Sequence, residues 1–574
     1  MILKFFILYF YFIFILTSIL GYGYLLANFL NKEILKYNLG YIGILGLLSL
    51  VLISYSTTFI FKHGYIHNII VHAIGLISFI FFLYKLKLKK NYFRIIILFL
   101  IMSSALFILK NHDDFSYYHL TYSLGLTENK IQMGLGNLEY GYRHHSSLFF
   151  LNSLIFLPFI KFYLFHSIGL ITLIFVNFIC LSFLTNKNEL KKFNYIYFLY
   201  LMIFIYVNVK FYRIGGYGTD IAAQIIVLSL IPQILITLKN DINKIDFKSN
   251  LQIVILTICY LITVKSYFIL YSVFLILLFI LFYKKKYFID LFFYSRTTII
   301  AFLTLIFFSL VNLSYTGCVL YPLKETCLDK QLSWTISKKE VQRMKIWYEG
   351  WAKGASSPTH RTKNTEEYIK GFKWFKGWID VYFFNKGLEN LLAILFLPIL
   401  LSIIFYRNQK NYKNISYKNL YKVLFVVFLL LCEWLYKHPT LRYGGYSLIA
   451  TFIFFPFSLI LSKPLMNIKK KKQIVTSLII ITLLIFNLRN FVRIDKEVKN
   501  NQSDSFPYFY VPKGNSKLLV LNENINIYIP QNINGCWATK TPCTGGAYGL
   551  KTKKNLDLIS LKELIGNLSG ILNI

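Results

Sequence analysis

Acidic side chains are scarce in this chain: 25 Asp and Glu stand against 62 Lys and Arg in 574 residues, and charged residues of all kinds make up 15%. A soluble domain carries about a quarter of its residues charged, so this composition excludes one. Also missing is a small-residue cleavage site after the apolar start, Met1 to Leu30, which therefore reads as a retained first span and not as a signal peptide. What is present is apolar: 56% hydrophobic and 18% aromatic residues, with a mean hydropathy of +0.54. Runs long enough to cross a bilayer, about 17 to 25 residues at 1.5 Å each, recur up to about position 488. The net charge of +37 does not point to nucleic acid. Its Lys clusters, such as Lys284 to Lys286 and Lys469 to Lys472, lie between apolar runs, where cytoplasmic loops carry them.

With the Lys-rich loops inside, the pattern predicts an all-α polytopic membrane protein of about fourteen spans, both termini outside. Residues 1–488 form its transmembrane domain, with outer loops at 110–146 and 316–387. Residues 489–574 form an extracytoplasmic tail of small α+β character. Segment 147–160 is expected to re-enter or lie at the outer interface, because a further crossing would carry Lys187, Lys191 and Lys192 to the wrong side. The runs at 251–264 and 267–283 are short, which suits tilted or broken helices meeting at Lys265. Five of the seven Trp fall in the loop 316–387, predicting interfacial helices anchored at the headgroups. Two close cysteine pairs, Cys318 with Cys327 and Cys536 with Cys543, lie in outer polar segments, where disulfides persist. A metal knuckle at the second pair lacks a second ligand pair.

Chemistry is most legible in Lys110-Asn-His-Asp-Asp-Phe-Ser-Tyr-Tyr-His119, directly after a span. Two adjacent carboxylates at a membrane interface stand out in a chain so poor in acids, and one could accept a proton from an attacking hydroxyl, as inverting glycosyl transfer requires. The alternative is that Asp113 and Asp114 cap the following helix. Downstream in the same loop, Arg143 offers a planar fork for phosphate, and Asn137, Ser146 and Ser147 can bond sugar hydroxyls. The remaining outer turns place Lys210, Arg213, Asp220, Lys265, Lys437, His438 and Arg442 at helix ends on the same face. Arg442 and Lys265 are the preferred phosphate contacts, while Arg213 and Asp220 can also pair across their own turn. Cations at span ends otherwise snorkel to headgroups. His112, His119, His144 and His145 share the first loop, but no strict ligand spacing is present. No metal or other cofactor is expected, although carboxylates there would suit Mg or Mn.

Asp113-Asp114, Tyr118-His119, Gly134 to Asn137 and Arg143 to Ser147 resemble the first outer loop of a group of bacterial polytopic proteins, itself similar to the GT-C superfamily of lipid-linked glycosyltransferases. Further matches are Gly218 to Asp220, Lys265-Ser266, Cys318 to Cys327 and Pro439 to Gly445, along most of the chain. The resemblance implies a GT-C-like bundle in the bacterial inner membrane, with Asp113 or Asp114 as catalytic base. It implies a polyprenyl-phosphate-linked sugar donor, and the residues themselves offer His119, Asn137, Arg143, Arg213, Asp220, Lys265, His438 and Arg442 as its contacts, for transfer to a glycan, lipid or protein acceptor. One departure is that several spans precede the acidic loop where the simplest GT-C pattern has one. The alternatives are a surface-polysaccharide polymerase or ligase working through Arg343 and Arg361, and a lipid-linked glycan flippase, which predicts internal repeats and midplane charges.

Overall fold

A computed structural model of the chain describes residues 2–544 apart from 111, 217, 240–244, 330, 355, 407–419, 464–466, 501–504, 513, 523 and 524. Ten helices among the described residues are long and apolar enough to cross a membrane, and the chain is a multi-pass membrane protein. Shorter apolar helices at Tyr195–Lys210 and Ser266–Phe282 accompany them. The amphipathic end expected from Asn555 onward lies outside the described residues.

Burial separates two kinds of span. In Asp246–Val264, 94% of the most apolar window is enclosed by protein, against 22% in Ile468–Asn500. The first is a central post and the second faces lipid, since hydrocarbon is as good a neighbour as Leu. Ser167–Leu184, Thr219–Lys239 and Ile245–Val264 form the centre, and Tyr446–Leu461 packs beside them. The first helix meets the second and third by direct backbone contact, and the second also packs on Ser167–Leu184. A Cβ on Gly46 would lie 1.9 Å from the Ile19 carbonyl oxygen, so that crossing tolerates only hydrogen.

Segment 147–160 contains Ser147–Leu154, a buried helix of eight residues and about 12 Å. It does not reach across a hydrocarbon core of ~30 Å. The chain breaks at Lys265 as the short runs suggested: Ile245–Val264 ends, Lys265 is extended, and a 3-10 turn, Ser266–Ser272, leads into Val273–Phe282. The expected boundary after residue 488 falls inside Ile468–Asn500, which continues as one helix into the tail. The tail holds a two-stranded antiparallel sheet, Ser516–Asn522 with Ile525–Pro530.

Both disulfides are formed, Cys318–Cys327 and Cys536–Cys543. Three of the loop tryptophans are not headgroup anchors: Trp334, Trp374 and Trp378 are at most 6% exposed. They are buried because protein supplies their partners: Trp334 Nε1 donates to the Leu313 carbonyl, Trp374 Nε1 to that of Gly371 and Trp378 Nε1 to that of Pro439. Gly46→Leu is expected to force the first two helices apart at a cost of ~1–3 kcal/mol, read as a lower melting midpoint of the detergent-purified chain. An unchanged midpoint would mean that the two backbones are not in contact.

Candidate functional site

Three helix ends and one loop meet at the outer end of the bundle. Asp220 lies in the first turn of Thr219–Lys239, where a carboxylate also suits the helix dipole. Its Oδ1 accepts a hydrogen bond from Lys265 Nζ, and its Oδ2 one from Arg442 Nε at 3.0 Å. Arg442 Nη2 then lies 3.5 Å from Asp114 Oδ2. Side-chain exposure is 11% for Asp220 and 34% for both Asp114 and Arg442, so one carboxylate is enclosed and the other opens outward. The Arg442 guanidinium sits 5.5 Å from the ring centres of Trp351 and Tyr443, and Lys265 Nζ 5.4 Å from that of Tyr443. Burial and the Asp114 carboxylate hold the Tyr118 hydroxyl well above its ordinary pKa, so it stays a phenol beside this group.

Each member is held from behind. Ser146 Oγ donates to the Val264 carbonyl at 2.7 Å, and Thr263 Oγ1 to Ser147 Oγ at 3.1 Å, which ties the first outer loop to the helix end preceding Lys265. The turn carrying Arg442 is over-determined. Trp378 Nε1 donates to the Pro439 carbonyl at 2.6 Å, Trp434 Nε1 to that of Thr440 at 3.0 Å and Gln224 Nε2 to that of Arg442 at 3.0 Å. The Leu441 amide donates to Tyr382 Oη at 2.8 Å. Gly444 has φ +92, a conformation few other residues adopt.

An apolar groove of about 270 Å³ runs between Val273–Phe282 and Leu420–Lys437, from Val273 and Leu429 to Tyr421 and Lys422 at the far end of the second helix. Its two walls are the helices whose outer ends lead to Lys265 and to Arg442. A larger cavity of about 660 Å³ lies on the other side of the acidic pair, between the first outer loop and the tail, and Asp113 lines it. The adjacent carboxylates thus part, Asp113 to this cavity and Asp114 to Arg442. Neither caps the next helix: His119–Glu128 starts without a side-chain cap, and His112 Nδ1 accepts the Asp114 amide.

Of the residues expected here, Asp114, Asp220, Lys265 and Arg442 converge, and His438 packs beside them against Tyr267 and Tyr443. Four others do not join. Arg143 donates to Glu340 Oε1 at 3.0 Å and to the Gly136 carbonyl at 2.7 Å, so its fork locks the two outer loops together. Asn137 bonds the Trp334 carbonyl in the same seam. His119 is 3% exposed and wedged among Tyr118, Phe149 and His112. Arg213 is exposed and donates to Tyr212 Oη at 2.9 Å instead of reaching Asp220. Arg343, the polymerase candidate, is committed to Glu340 and Tyr140, and Arg361 is exposed. Sequence reading missed Tyr118, Trp351 and Tyr443 as site walls. Tyr118 and Tyr443 stand inside quoted motifs, whereas nothing distinguishes Trp351 from its neighbouring tryptophans. Among the described residues, no three His, Cys, Asp or Glu side chains are grouped to hold a metal ion.

A family model described as a domain of unknown function, DUF8201, matches residues 5–450, and the chain belongs to that family. No curated protein and no solved structure matches it.

Burial pushes the pKa of His144 and His145 down to about 3, helped at His144 by Lys265, Arg442 and Arg143. The unfolded chain protonates these rings near the ordinary ~6.5, so it binds more protons than the folded chain between ~6.5 and ~3. Stability is therefore expected to fall as pH drops through that window, by up to ~1.4 kcal/mol per pH unit for each ring. Melting midpoints measured from pH ~7.5 to ~4.5 should decline below ~6.5, less steeply in His145→Gln. A flat profile would contradict the burial of neutral rings.

Proposed function

We propose that this member of the DUF8201 family is a GT-C-like glycosyltransferase of about fourteen spans in the bacterial inner membrane, moving a sugar from a polyprenyl-phosphate carrier to an acceptor on the outer face. The observation that carries the reading is the seating of Arg442 between Asp220 and Asp114, with Lys265 beside it, together with an apolar groove between the two helices that lead away from Lys265 and Arg442. A polyprenyl phosphate has the matching shape: an anionic head at the interface and a long apolar tail in lipid.

The looseness of one contact suggests how the head enters. Arg442 is fixed by its hydrogen bond to the enclosed Asp220, whereas its Nη2 only rests 3.5 Å from the more open Asp114. A phosphate fits a guanidinium fork with two hydrogen bonds and displaces the weaker contact. That frees the Asp114 carboxylate to meet the acceptor hydroxyl across the sugar from the bound phosphate. In the step proposed, the acceptor hydroxyl oxygen forms a bond to the anomeric carbon while that carbon's bond to the phosphate oxygen breaks. The hydroxyl proton passes to Asp114, and the electron pair leaves with the polyprenyl phosphate, held by Arg442 and Lys265. Attack from the face opposite the phosphate inverts the anomeric centre.

A deletion strain complemented with single variants tests this, with lipid-linked intermediates and envelope glycans read by mass spectrometry and expression checked. Asp114→Asn is expected to lower transfer by about 10²-fold or more, the usual worth of a general base, and to accumulate polyprenyl-phosphate sugar as the deletion does. Arg442→Lys keeps the charge but loses the fork, and is expected to impair transfer too. Full complementation by Asp114→Asn would remove the catalytic role.

A further inference from the structure

The cavity at Asp113 is built by two distant parts of the chain. The tail is stitched onto the acidic loop: the Trp537 amide donates to the Ser116 carbonyl at 2.9 Å, and that of Tyr510 to the Leu109 carbonyl at 3.2 Å. Glu497 accepts the amides of Leu109 and Lys110 at 2.9 and 3.1 Å. Gly535, with φ +85, approaches so closely that a Cβ there would lie 2.8 Å from the Ser116 carbonyl oxygen. Trp537 follows directly on the disulfide-bonded Cys536, so the tail wall is held in place.

Tyr117, Tyr510 and Trp537 supply flat aromatic faces to the lining, Asn500, Asn534 and Asp113 supply planar amide and carboxylate groups around them, and Lys110 and Lys496 add hydrogen-bond donors. Aromatic faces pack on the C–H faces of a sugar ring while amides and carboxylates bond its equatorial hydroxyls, whereas an apolar tail finds no continuous greasy wall here. The volume, about 660 Å³, lies within the ~300–1,000 Å³ of small-ligand pockets. Its position matters as much: it opens at Asp113, next in sequence to the carboxylate that touches Arg442.

We propose that this cavity is the acceptor site and that the acceptor is an oligosaccharide, held by Asp113 and the tail's aromatic wall with one hydroxyl presented toward Asp114. The assignment rests on the transfer reading above, and it makes the tail part of the substrate-binding machinery.

In vivo photocrosslinking separates the two. Tyr117, 53% exposed, is replaced by p-benzoylphenylalanine in the full-length chain, cells are irradiated, and adducts are purified under denaturing conditions and read by periodate–hydrazide labelling and mass spectrometry. An adduct carrying two or more linked sugars is expected, reduced by about fivefold or more when Asn500→Ala and Asn534→Ala are combined. A protein adduct, a single polyprenyl-linked sugar, no adduct, or an adduct indifferent to the Asn changes would overturn the acceptor assignment. The same probe at Ile276, in the apolar groove, is expected to capture a polyprenyl lipid. Its capture without an oligosaccharide at Tyr117 defeats only the acceptor site, whereas its absence defeats the transfer reading.

Discussion

Asp220 holds two cations that come from different parts of the chain, and the geometry of the outer face depends on that pairing. Lys265 closes one central helix and Arg442 precedes another, and each would meet its own solvation penalty at the edge of the hydrocarbon without a carboxylate to share. With Asp114 included, two acids and two bases gather at once, so the formal charges of the group cancel. The scaffold bears the cost of precision. Trp378, Trp434, Tyr382 and Gln224 all bond the backbone around Arg442, four contacts spent on one short turn. A turn needing only to connect two helices would be satisfied by water at the interface, so this density of bonds marks a side chain that must not wander.

The multi-pass helical character was legible because membrane composition is a strong signal, although ten helices among the described residues, and not fourteen, are long and apolar enough to cross. What surrounds each span was not, since lipid-facing and protein-facing helices are equally apolar and only packing separates them. Trp334 and Trp374 illustrate the limit. Sequence puts them in an outer loop, where Trp commonly anchors, but whether that loop lies on the membrane or forms its own packed layer depends on contacts far along the chain.

The site divides in the same way. Asp114, Asp220, Lys265 and Arg442 stood out because ionic residues at helix ends are few in this chain, and short turns leave them little freedom. Arg143 and Asn137 failed for the opposite reason. Both lie in a long loop, and their partners, Glu340 and Trp334, are 197 residues away in each case. The type of a side chain reveals what it can bond, while only the fold decides what it does bond. His119 and Arg213 show the two extremes of that freedom, one sealed among rings and the other left at the surface.

The acidic pair itself shows why adjacency in sequence is a poor guide to a dyad in space. Asp113–Phe115 is a 3-10 turn, and with about three residues per turn successive side chains diverge by ~120°. The two carboxylates therefore cannot converge on one proton or one cation, as paired catalytic acids do. One turns inward to Arg442, and the other outward to the cavity under the tail. A wider helix or an extended strand would also separate neighbours, but here one short turn sets Asp113 against the cavity and Asp114 against the Arg442 guanidinium. On the transfer reading this is what a reaction between a lipid-borne donor and a water-borne acceptor requires: two substrates arriving from different phases, and a single rigid turn whose two carboxylates mark where they meet.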